Sequence, residues 1–387
     1  MNDRTHNPMI EAIRLTREGK LHDATNRIQR NLAGLHAEDD AVVCVAGIRP
    51  VPDPLVPEHR LSGSIAQVNG RVPVDVGTTL GRALHGLPSE LSHRRVGARA
   101  AGIVPSTSTG DSGGGYVAGS VTCGAGTRSY RLYIPKGRAG EPLPLVVLLH
   151  GCTQDAVDLA RGTRMNALAD RERFLVLYPE QSTNANGQRC WNWFKKGDQA
   201  RDAGEPSIIA AMTRQIMTTH AVDADRVYVA GMSAGGSMAA IMGATYPDVY
   251  AAVGVHSGLP YRSAHDLPSA FAAMRSGANG QHVSPGVSMI VFHGSADTTV
   301  HPSNADMLLG PSRDGGRPSI ETGRALGGHA YKRAVYRDGE RDVEQWMVEG
   351  AGHAWSGGSP DGSFTDARGP NASAEMLRFF REHPRKR

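Results

Sequence analysis

The sequence is short of cysteines and contains no long apolar run. Its four cysteines lack Cys-x-x-Cys spacing and no His-Glu-x-x-His motif occurs, which argues against a structural or catalytic zinc site. No stretch approaches the roughly eighteen apolar residues of a membrane span. Residues 1–20 mix charged with apolar residues instead of forming the apolar core of a signal peptide. We therefore expect a cytoplasmic protein without a transmembrane segment, a metal or another cofactor.

The sequence also has no large excess of positive or negative charge. The chain has 42 Lys and Arg against 38 Asp and Glu, a net charge of +4 over 387 residues. Such a small excess gives little support to nucleic-acid binding, so we predict no nucleic-acid partner. Hydrophobic residues at 40% and charged residues at 21% are ordinary for a globular protein and exclude disorder throughout. The oligomeric state stays open.

Three segments of different composition follow one another along the chain. Residues 1–35 carry apolar residues at helical spacing on both sides of a glycine, which predicts a helical hairpin that must dock on another surface. Residues 36–126 are rich in proline, then in glycine and serine, which predicts a flexible, largely irregular linker. Residues 127–387 are predicted to form the catalytic domain.

Strand and helix patterns alternate in the predicted catalytic domain, which indicates an α/β fold with a doubly wound, mostly parallel sheet. The continuous apolar run at residues 145–149 is typical of a strand covered by helices on both faces. The predicted strands are residues 129–134, 143–150, 174–178, 226–230, 251–256, 289–293 and 343–348. The predicted helices are residues 156–171, 207–220, 237–244 and 374–383.

A serine motif lies between one of these strands and the next helix. Residues 231–236 read Gly-Met-Ser-Ala-Gly-Gly, directly after the apolar run and directly before a helix-like segment. This arrangement resembles the nucleophile elbow of α/β-hydrolases, a sharp turn that exposes the serine hydroxyl at the top of the sheet. Glycines at 231 and 235 allow backbone and helix to approach without a Cβ clash. The motif predicts Ser233 as a nucleophile.

An elbow serine needs a histidine to take its proton and an acid to orient that histidine. In the α/β-hydrolase order the acid and then the histidine follow the serine along the chain. Asp297 and His353 come in that order, each shortly after a predicted strand. We therefore predict Ser233, Asp297 and His353 as a catalytic triad, with Asp306 and Asp266 as alternatives for the acid.

Acyl transfer also needs backbone donors for the oxyanion of the tetrahedral intermediate. In this fold they are the amide after the nucleophile and an amide from the loop after an earlier strand. These positions correspond to Ala234 and to Cys152, which lies in the segment His-Gly-Cys-Thr-Gln at residues 150–154. Both amides are predicted oxyanion donors.

Three tryptophans are concentrated near these loops, although aromatic residues form only 5% of the chain. Trp191 and Trp193 flank an asparagine after Cys190, and Trp355 follows His353 closely. Two interpretations stay open. The indole rings line an apolar groove and contact the substrate, or they pack in the core.

Seven ordered motifs together resemble the polyhydroxybutyrate depolymerase family of serine esterases. The resemblance covers about residues 129–382. The motifs are His-Gly-Cys-Thr-Gln at 150–154, Tyr-Pro-Glu-Gln at 178–181, Cys-Trp-Asn-Trp at 190–193, the serine motif, His-Ser-Gly at 256–258, His-Gly-Ser-Ala-Asp at 293–297 and Gly-His-Ala-Trp-Ser-Gly-Gly at 352–358.

The resemblance implies an α/β-hydrolase that cleaves polyhydroxybutyrate or its 3-hydroxyacid oligomers through an acyl-enzyme on Ser233. It also implies a disulfide between Cys152 and Cys190, which would be unusual in a reducing cytoplasm. Feruloyl and acetylxylan esterases share the elbow and the triad, so the alternative enzyme is an esterase of that type or a general short-acyl esterase. The alternative outside enzymes is a granule-associated binding protein, in which residues 1–35 dock on a polymer surface.

Overall fold

The computed structural model describes residues 45–51, 114–137, 140–278, 286–310, 317–326, 328–337 and 341–386, and only the backbone of residues 45–51. The predicted helical hairpin at residues 1–35 lies outside these ranges. The domain division stays a prediction. No helix in the described ranges is long and apolar enough to cross a membrane.

Eleven strands of the described chain form one sheet, and two short strands pair separately. The strands are β1 (Val45–Val51), β2 (Gly115–Cys123), β3 (Gly126–Ile134), β4 (Leu143–Leu149), β5 (Leu175–Pro179), β6 (Val222–Met232), β7 (Ala252–His256), β8 (Ser288–Gly294), β9 (Ser319–Arg324), β10 (Ala330–Arg337), β11 (Asp342–Val348), β12 (Trp355–Ser356) and β13 (Thr365–Asp366). The helices are α1 (Ala156–Thr163), α2 (Met165–Glu172), α3 (Gly204–Thr219), α4 (Ala234–Thr245), α5 (Leu267–Ser276), α6 (Ser303–Leu308) and α7 (Ala372–Glu382).

The centre of the sheet is parallel and its two margins are antiparallel. The strand order is β1-β2-β3-β5-β4-β6-β7-β8-β11-β10-β9, and the six strands from β5 to β11 pair in parallel. On either side the pairing is antiparallel. The carboxyl ends of the parallel strands meet at one edge, where ligands bind in open α/β sheets. The doubly wound, mostly parallel α/β-hydrolase fold is confirmed.

Successive side chains of a strand point to opposite faces of the sheet. In the central strands both faces are buried. In β4, Leu145, Val147 and Leu149 pack in one core cluster with α3 and α4. Val146 and Leu148 pack in a second cluster on the opposite face, with α1 and α7. The continuous apolar run therefore serves two cores at once, as predicted.

The structure differs from the sequence prediction at the start of the sheet and at the first predicted helix, among other places. Strands β1 and β2 lie within residues 36–126 and extend the sheet, so the sheet begins before residue 127. Small residues, among them Gly115, Gly119 and Ser120, conceal the strand pattern of β2, in which only Tyr116 and Val121 are buried. The single helix predicted at 156–171 is also wrong. Arg164 adopts a left-handed conformation, with φ 53° and ψ 25°, and separates α1 from α2.

Candidate active site

Ser233 occupies the turn between β6 and α4. Its backbone angles are φ 56° and ψ −121°, and its amide donates a hydrogen bond to the His256 carbonyl oxygen at 2.8 Å. The serine is partly exposed. This is the strained, exposed turn that the Gly-x-Ser-x-Gly motif predicts.

The two motif glycines are required by close backbone contacts. A Cβ added to Gly235 would lie 2.6 Å from the His150 carbonyl oxygen, and one on Gly231 would lie 2.8 Å from the Leu149 carbonyl oxygen. Both distances are shorter than a Cβ tolerates. The elbow can therefore pack against the end of β4 only without side chains at these positions.

Asp297 and His353 are brought together from two different loops, one after β8 and one after β11. His353 Nδ1 lies 2.7 Å from Asp297 Oδ2. The Asp297 side chain is fully buried, and 11% of the His353 side chain is exposed. The other carboxylate oxygen accepts hydrogen bonds from the amides of Thr299 and Val300, each at 2.9 Å. The acid is held rigidly while the histidine ring reaches the surface.

A second histidine contacts the same acid. His293 Nε2 lies 3.4 Å from Asp297 Oδ2 and 2.9 Å from the Val300 carbonyl oxygen. Burial alone raises the pKa of Asp297, but hydrogen bonds from His293, His353 and the Val300 amide hold that pKa well below its usual range. Asp297 is therefore a carboxylate over the whole physiological pH range. No local pattern in the sequence marks His293 as a partner of the acid.

The two alternative acids have other contacts. Asp306 accepts a hydrogen bond from Gln345 Nε2 at 2.9 Å, and Asp266 caps the amino end of α5 through the Ser269 amide. Of the three candidate carboxylates, Asp297 is the one that bonds His353. Among the described residues the Ser233 hydroxyl forms no hydrogen bond. Catalytic hydrogen bonds often tighten only once substrate is bound.

The loop after β4 approaches the elbow. A Cβ added to Gly151 would lie 3.5 Å from Ser233 Cβ, so glycine leaves the space next to the nucleophile open. The Ala234 amide is the first of α4 and has no partner within the helix. Within the described ranges the Cys152 amide also has no acceptor. The two predicted oxyanion donors are thus both available.

The sulfur atoms of Cys152 and Cys190 are joined in a disulfide. The bond connects the loop after β4 to the segment that carries Trp191. Cys123 is a free cysteine. The loop of the predicted oxyanion donor is therefore anchored covalently as well as by hydrogen bonds.

The three tryptophans are buried. Exposed fractions are 0% for Trp191, 5% for Trp193 and 1% for Trp355. Trp355 stacks on His256 with ring centroids 4.9 Å apart, and its Nε1 donates to Ser373 Oγ at 3.1 Å. Of the two interpretations left open, the burial of the three rings favours packing in the core over lining a groove.

A buried polar network lies behind the disulfide, and it was not predicted from the sequence. Glu205 accepts hydrogen bonds from Arg128 Nη2 at 3.2 Å and from the Asn192 amide at 2.7 Å. Burial, then the charge of Glu205, raises the pKa of Asp198 to about 6. Arg128 is 8% exposed and Glu205 is 3% exposed, and the sequence does not show that these charged residues are buried. The partner of each was not visible there.

Comparisons with known proteins find similar esterases. The family model of the esterase PHB depolymerases matches residues 128–312. Poly(3-hydroxyalkanoate) depolymerase C of Paucimonas lemoignei is 34% identical over 57% of this chain and 57% of its own length. Feruloyl esterase B of Neurospora crassa is 32% identical over 64% of this chain and 86% of its own length. The structure of an acetyl xylan esterase from Aspergillus awamori aligns with a TM-score of 0.49 and 23% identity, over 58% of this chain and 89% of that one.

The chain thus spans little more than half of the depolymerase, at 57%, and most of the feruloyl esterase, at 86%. The family match begins in β3 and includes β4, the disulfide, the elbow and Asp297. His353 lies beyond it, and the structure brings His353 back to the acid. The chain therefore belongs to the esterase PHB depolymerase family.

Proposed function

We propose that the protein is a serine carboxylic-ester hydrolase that cleaves polyhydroxybutyrate or its 3-hydroxyacid oligomers through an acyl-enzyme on Ser233. The observation that carries the proposal is the elbow conformation of Ser233 at the sheet edge that also presents the bonded pair of His353 and Asp297. A nucleophile, a base and an acid in this order are the parts that acyl transfer requires.

In the first half of the reaction, His353 takes the proton of Ser233 as Oγ attacks the ester carbonyl carbon. The tetrahedral oxyanion accepts hydrogen bonds from the Cys152 and Ala234 amides. His353 then gives its proton to the leaving alcohol oxygen, and the carbon–oxygen bond of the ester breaks. Asp297 stabilises the charged imidazole and remains ionised throughout.

In the second half, His353 takes a proton from water, and the resulting hydroxide attacks the acyl carbon on Ser233. The same two amides stabilise the second oxyanion. When this intermediate collapses, His353 returns the proton to Ser233 Oγ and the hydroxyacid is released. One site therefore serves both halves of the reaction, and the proton balance closes without a cofactor.

The polyester substrate is supported by the family and by the name of the Paucimonas relative. A feruloyl or acetylxylan ester is the second candidate, favoured by the 86% coverage of feruloyl esterase B. Purified protein is incubated with amorphous polyhydroxybutyrate, 3-hydroxybutyrate oligomers, methyl ferulate and acetylated xylan, and the products are separated by chromatography. Monomers or dimers of 3-hydroxybutyrate support the proposal, whereas release of ferulate or acetate alone overturns the substrate assignment.

Ser233→Ala tests the reaction type. Loss of the nucleophile is expected to lower ester turnover by at least about 10³-fold with an unchanged melting temperature. Hydrolysis that survives the change would refute the nucleophile assignment. A wild-type protein that binds polymer and hydrolyses no ester would favour the granule-associated binding protein instead.

We also propose that residues 1–35 attach the protein to polymer granules in the cytoplasm. The support is the helical spacing of their apolar residues. Deleting residues 1–35 preserves β1, and the variant is sedimented with amorphous granules while p-nitrophenyl butyrate reports the catalytic domain. Lost sedimentation with retained turnover is expected, and unchanged sedimentation removes the docking role.

A further inference from the structure

A pocket lies beside the acid of the predicted triad, and the reaction proposed above leaves it without an occupant. Its volume is about 320 Å³, which is at the lower end of the ~300–1,000 Å³ typical of small-molecule sites. One wall is formed by Asp297, Thr298, Thr299 and His301 in the loop after β8, and the other by the carboxyl-terminal half of α5. The pocket is therefore next to the residue that bonds His353.

The α5 wall combines apolar surface with one positive charge. Phe271, Met274 and Arg275 line the pocket, and their spacing of three and four residues places them on one face of the helix. Phe271 is 43% exposed. Arg275 is also exposed, and its guanidinium forms no ion pair or hydrogen bond with another residue of the described ranges. This wall thus presents an unpaired positive charge next to apolar surface.

The loop wall supplies further hydrogen-bond donors. His301 Nδ1 accepts a hydrogen bond from the Ser303 amide, with a nitrogen-to-nitrogen distance of 3.2 Å, so the proton of the neutral ring is on Nε2. In the described part of the chain Nε2 has no acceptor. Thr298 and Thr299 are exposed, and their hydroxyl groups likewise have no partner among the described residues. The donors of the pocket wall are therefore not limited to Arg275.

The two walls are bonded to each other. The His301 amide donates to the Met274 carbonyl oxygen at 2.7 Å. Asn304, which is fully buried, donates through Nδ2 to the Ala273 carbonyl oxygen at 2.9 Å and accepts from the Ala278 amide at 3.0 Å. The pocket is therefore preformed, and its walls need little ordering when a ligand binds.

The proposed reaction determines which part of an oligomer faces this pocket. The oxyanion points to the Cys152 and Ala234 amides, whereas the leaving oxygen must face His353, which protonates it. The leaving chain therefore extends past His353, on the side where Asp297 bonds that ring. In a 3-hydroxyacid oligomer the leaving chain is the part with the free carboxylate, because each esterified hydroxyl belongs to the unit on the carboxylate side of the ester.

We propose that this pocket binds the leaving end of a 3-hydroxyacid oligomer, in which Arg275 pairs with the terminal carboxylate and Phe271 contacts the methyl groups. Arginine–carboxylate pairs are charge-assisted and frequently bidentate, which makes them geometrically specific. When the ester bond breaks, the new hydroxyl receives its proton from His353 and the released product carries its carboxylate on Arg275. The inference rests on the proposed function and deepens it, since the enzyme then prefers esters near a free acid end to internal esters of a polymer.

The 3-hydroxybutyrate trimer and its terminal carboxamide test this pairing. The two substrates have the same esters and differ in the charge at the end of the leaving chain. Wild-type kcat/KM is expected to be about 5- to 10-fold higher for the free acid, between the effects of exposed ion pairs and of buried charged hydrogen bonds. Raising the salt concentration from about 0.05 M to about 0.5 M is expected to reduce this preference, because salt screens an exposed pair.

Arg275→Gln removes the charge and is expected to raise KM for the free acid about 5- to 10-fold with kcat little changed. KM for the carboxamide and for p-nitrophenyl butyrate is expected to stay the same. Arg275→Lys keeps the charge without the planar fork and is expected to recover part of the preference. Arg337→Gln is the matched control, because Arg337 is 71% exposed and pairs with Asp342 at the start of β11, at the opposite edge of the sheet from Ser233.

Equal wild-type kcat/KM for the free acid and the carboxamide overturns the pocket assignment and leaves the proposed hydrolase function intact. A preference that Arg275→Gln retains overturns the role of Arg275. If Arg275→Gln is less stable in urea than Arg337→Gln but keeps the wild-type KM, Arg275 serves only the carboxyl end of α5, where a positive charge stabilises the helix. Hydrolysis of p-nitrophenyl butyrate with neither trimer cleaved would instead overturn the oligomer substrate itself, and the pocket assignment with it.

Discussion

Ser233 and Thr153 hold backbone conformations that side chains disfavour. Their φ angles are 56° and 67°, and each such residue costs on the order of 1–3 kcal/mol. Both amides are fixed by carbonyl oxygens, that of Ser233 by His256 at 2.8 Å and that of Thr153 by Gln188 at 2.7 Å. The strained residues are the predicted nucleophile and the neighbour of the predicted oxyanion donor, and hydrogen bonds fix the backbone of both.

Asp297→Asn tests the acid at the residue scale. The carboxamide presents either a donor or a weaker acceptor to His353 and no longer holds the tautomer in which Nε2 is free to accept the serine proton. We expect kcat for p-nitrophenyl butyrate to fall on the order of 10³- to 10⁴-fold with KM nearly unchanged. Asp306→Asn is the matched control, because Asp306 bonds Gln345 instead of His353. Equal kcat values in the two variants would show that Asp297 is not the acid.

At the scale of elements, the site depends on how closely α4 approaches the end of β4. The approach is a backbone contact, and glycine is the only residue that permits it at positions 231 and 235. The loop that carries Cys152 also lies next to Ser233, because a Cβ added to Gly151 would lie 3.5 Å from Ser233 Cβ. The elbow conformation therefore depends on the packing of α4 against β4.

Gly235→Ala is expected to disturb both stability and activity. The added methyl group meets the carbonyl oxygens of Leu149 and His150, and overpacking of this kind costs about 1–3 kcal/mol or more. Urea denaturation measures the loss of stability, and titration with a serine-directed fluorophosphonate measures the competent nucleophile. Gly197→Ala is the control, because a Cβ there has no neighbour within 4 Å. A Gly235→Ala protein as stable and reactive as the control would contradict the close packing described here.

The disulfide joins two further elements, and its removal is expected to destabilise the protein. Cys152 and Cys190 are separated by 38 residues, for which the chain-entropy account gives about 4 kcal/mol at most. Unfolding of Cys152→Ala/Cys190→Ala in urea is compared with that of Cys123→Ala, which removes a free thiol. The bond is typical of oxidising compartments, whereas the sequence predicts the cytoplasm. Alkylation of the protein directly in lysed cells, followed by mass spectrometry, decides whether the bond exists there.

For the molecule as a whole, the buried His256 is expected to make the free energy of unfolding depend on pH in the acid range. Burial, together with the neighbouring His293 and His353, lowers the pKa of His256 to about 3. An unfolded chain binds a proton near the ordinary value of 6.5, so between these limits the unfolded state holds more protons than the native state. Stability is therefore lost as pH falls from about 6.5 towards 3.

His256 is expected to change the free energy of unfolding by about 1.4 kcal/mol per pH unit in this range. His256→Gln removes the titrating ring and retains an acceptor for the Ser356 amide, which donates to His256 Nε2 at 2.9 Å. Urea denaturation between pH 6.5 and pH 4 is expected to show a shallower acid dependence in His256→Gln by about that amount. Identical slopes in the two proteins would mean that His256 is protonated in the native state.

The parallel centre of the sheet was predictable, because each buried strand is a continuous apolar run that needs no partner to be recognised. The seven predicted strands all occur, with ends shifted by a few residues. The marginal strands β1, β2, β9 and β10 were not predicted, since they are half exposed or rich in glycine and depend on pairing with a neighbour. The helices α5 and α6 were missed for a similar reason, being short with few buried residues.

The sequence by itself determined the elbow, because its turn follows from the local spacing of Gly231, Ser233 and Gly235, and it predicted Asp297 and His353 as the partners of Ser233. Only the tertiary structure decided which carboxylate bonds His353, that His293 shares it, and that the tryptophans are buried. These relations join residues far apart in the chain, and their distances depend on strand order and packing, which no local pattern records.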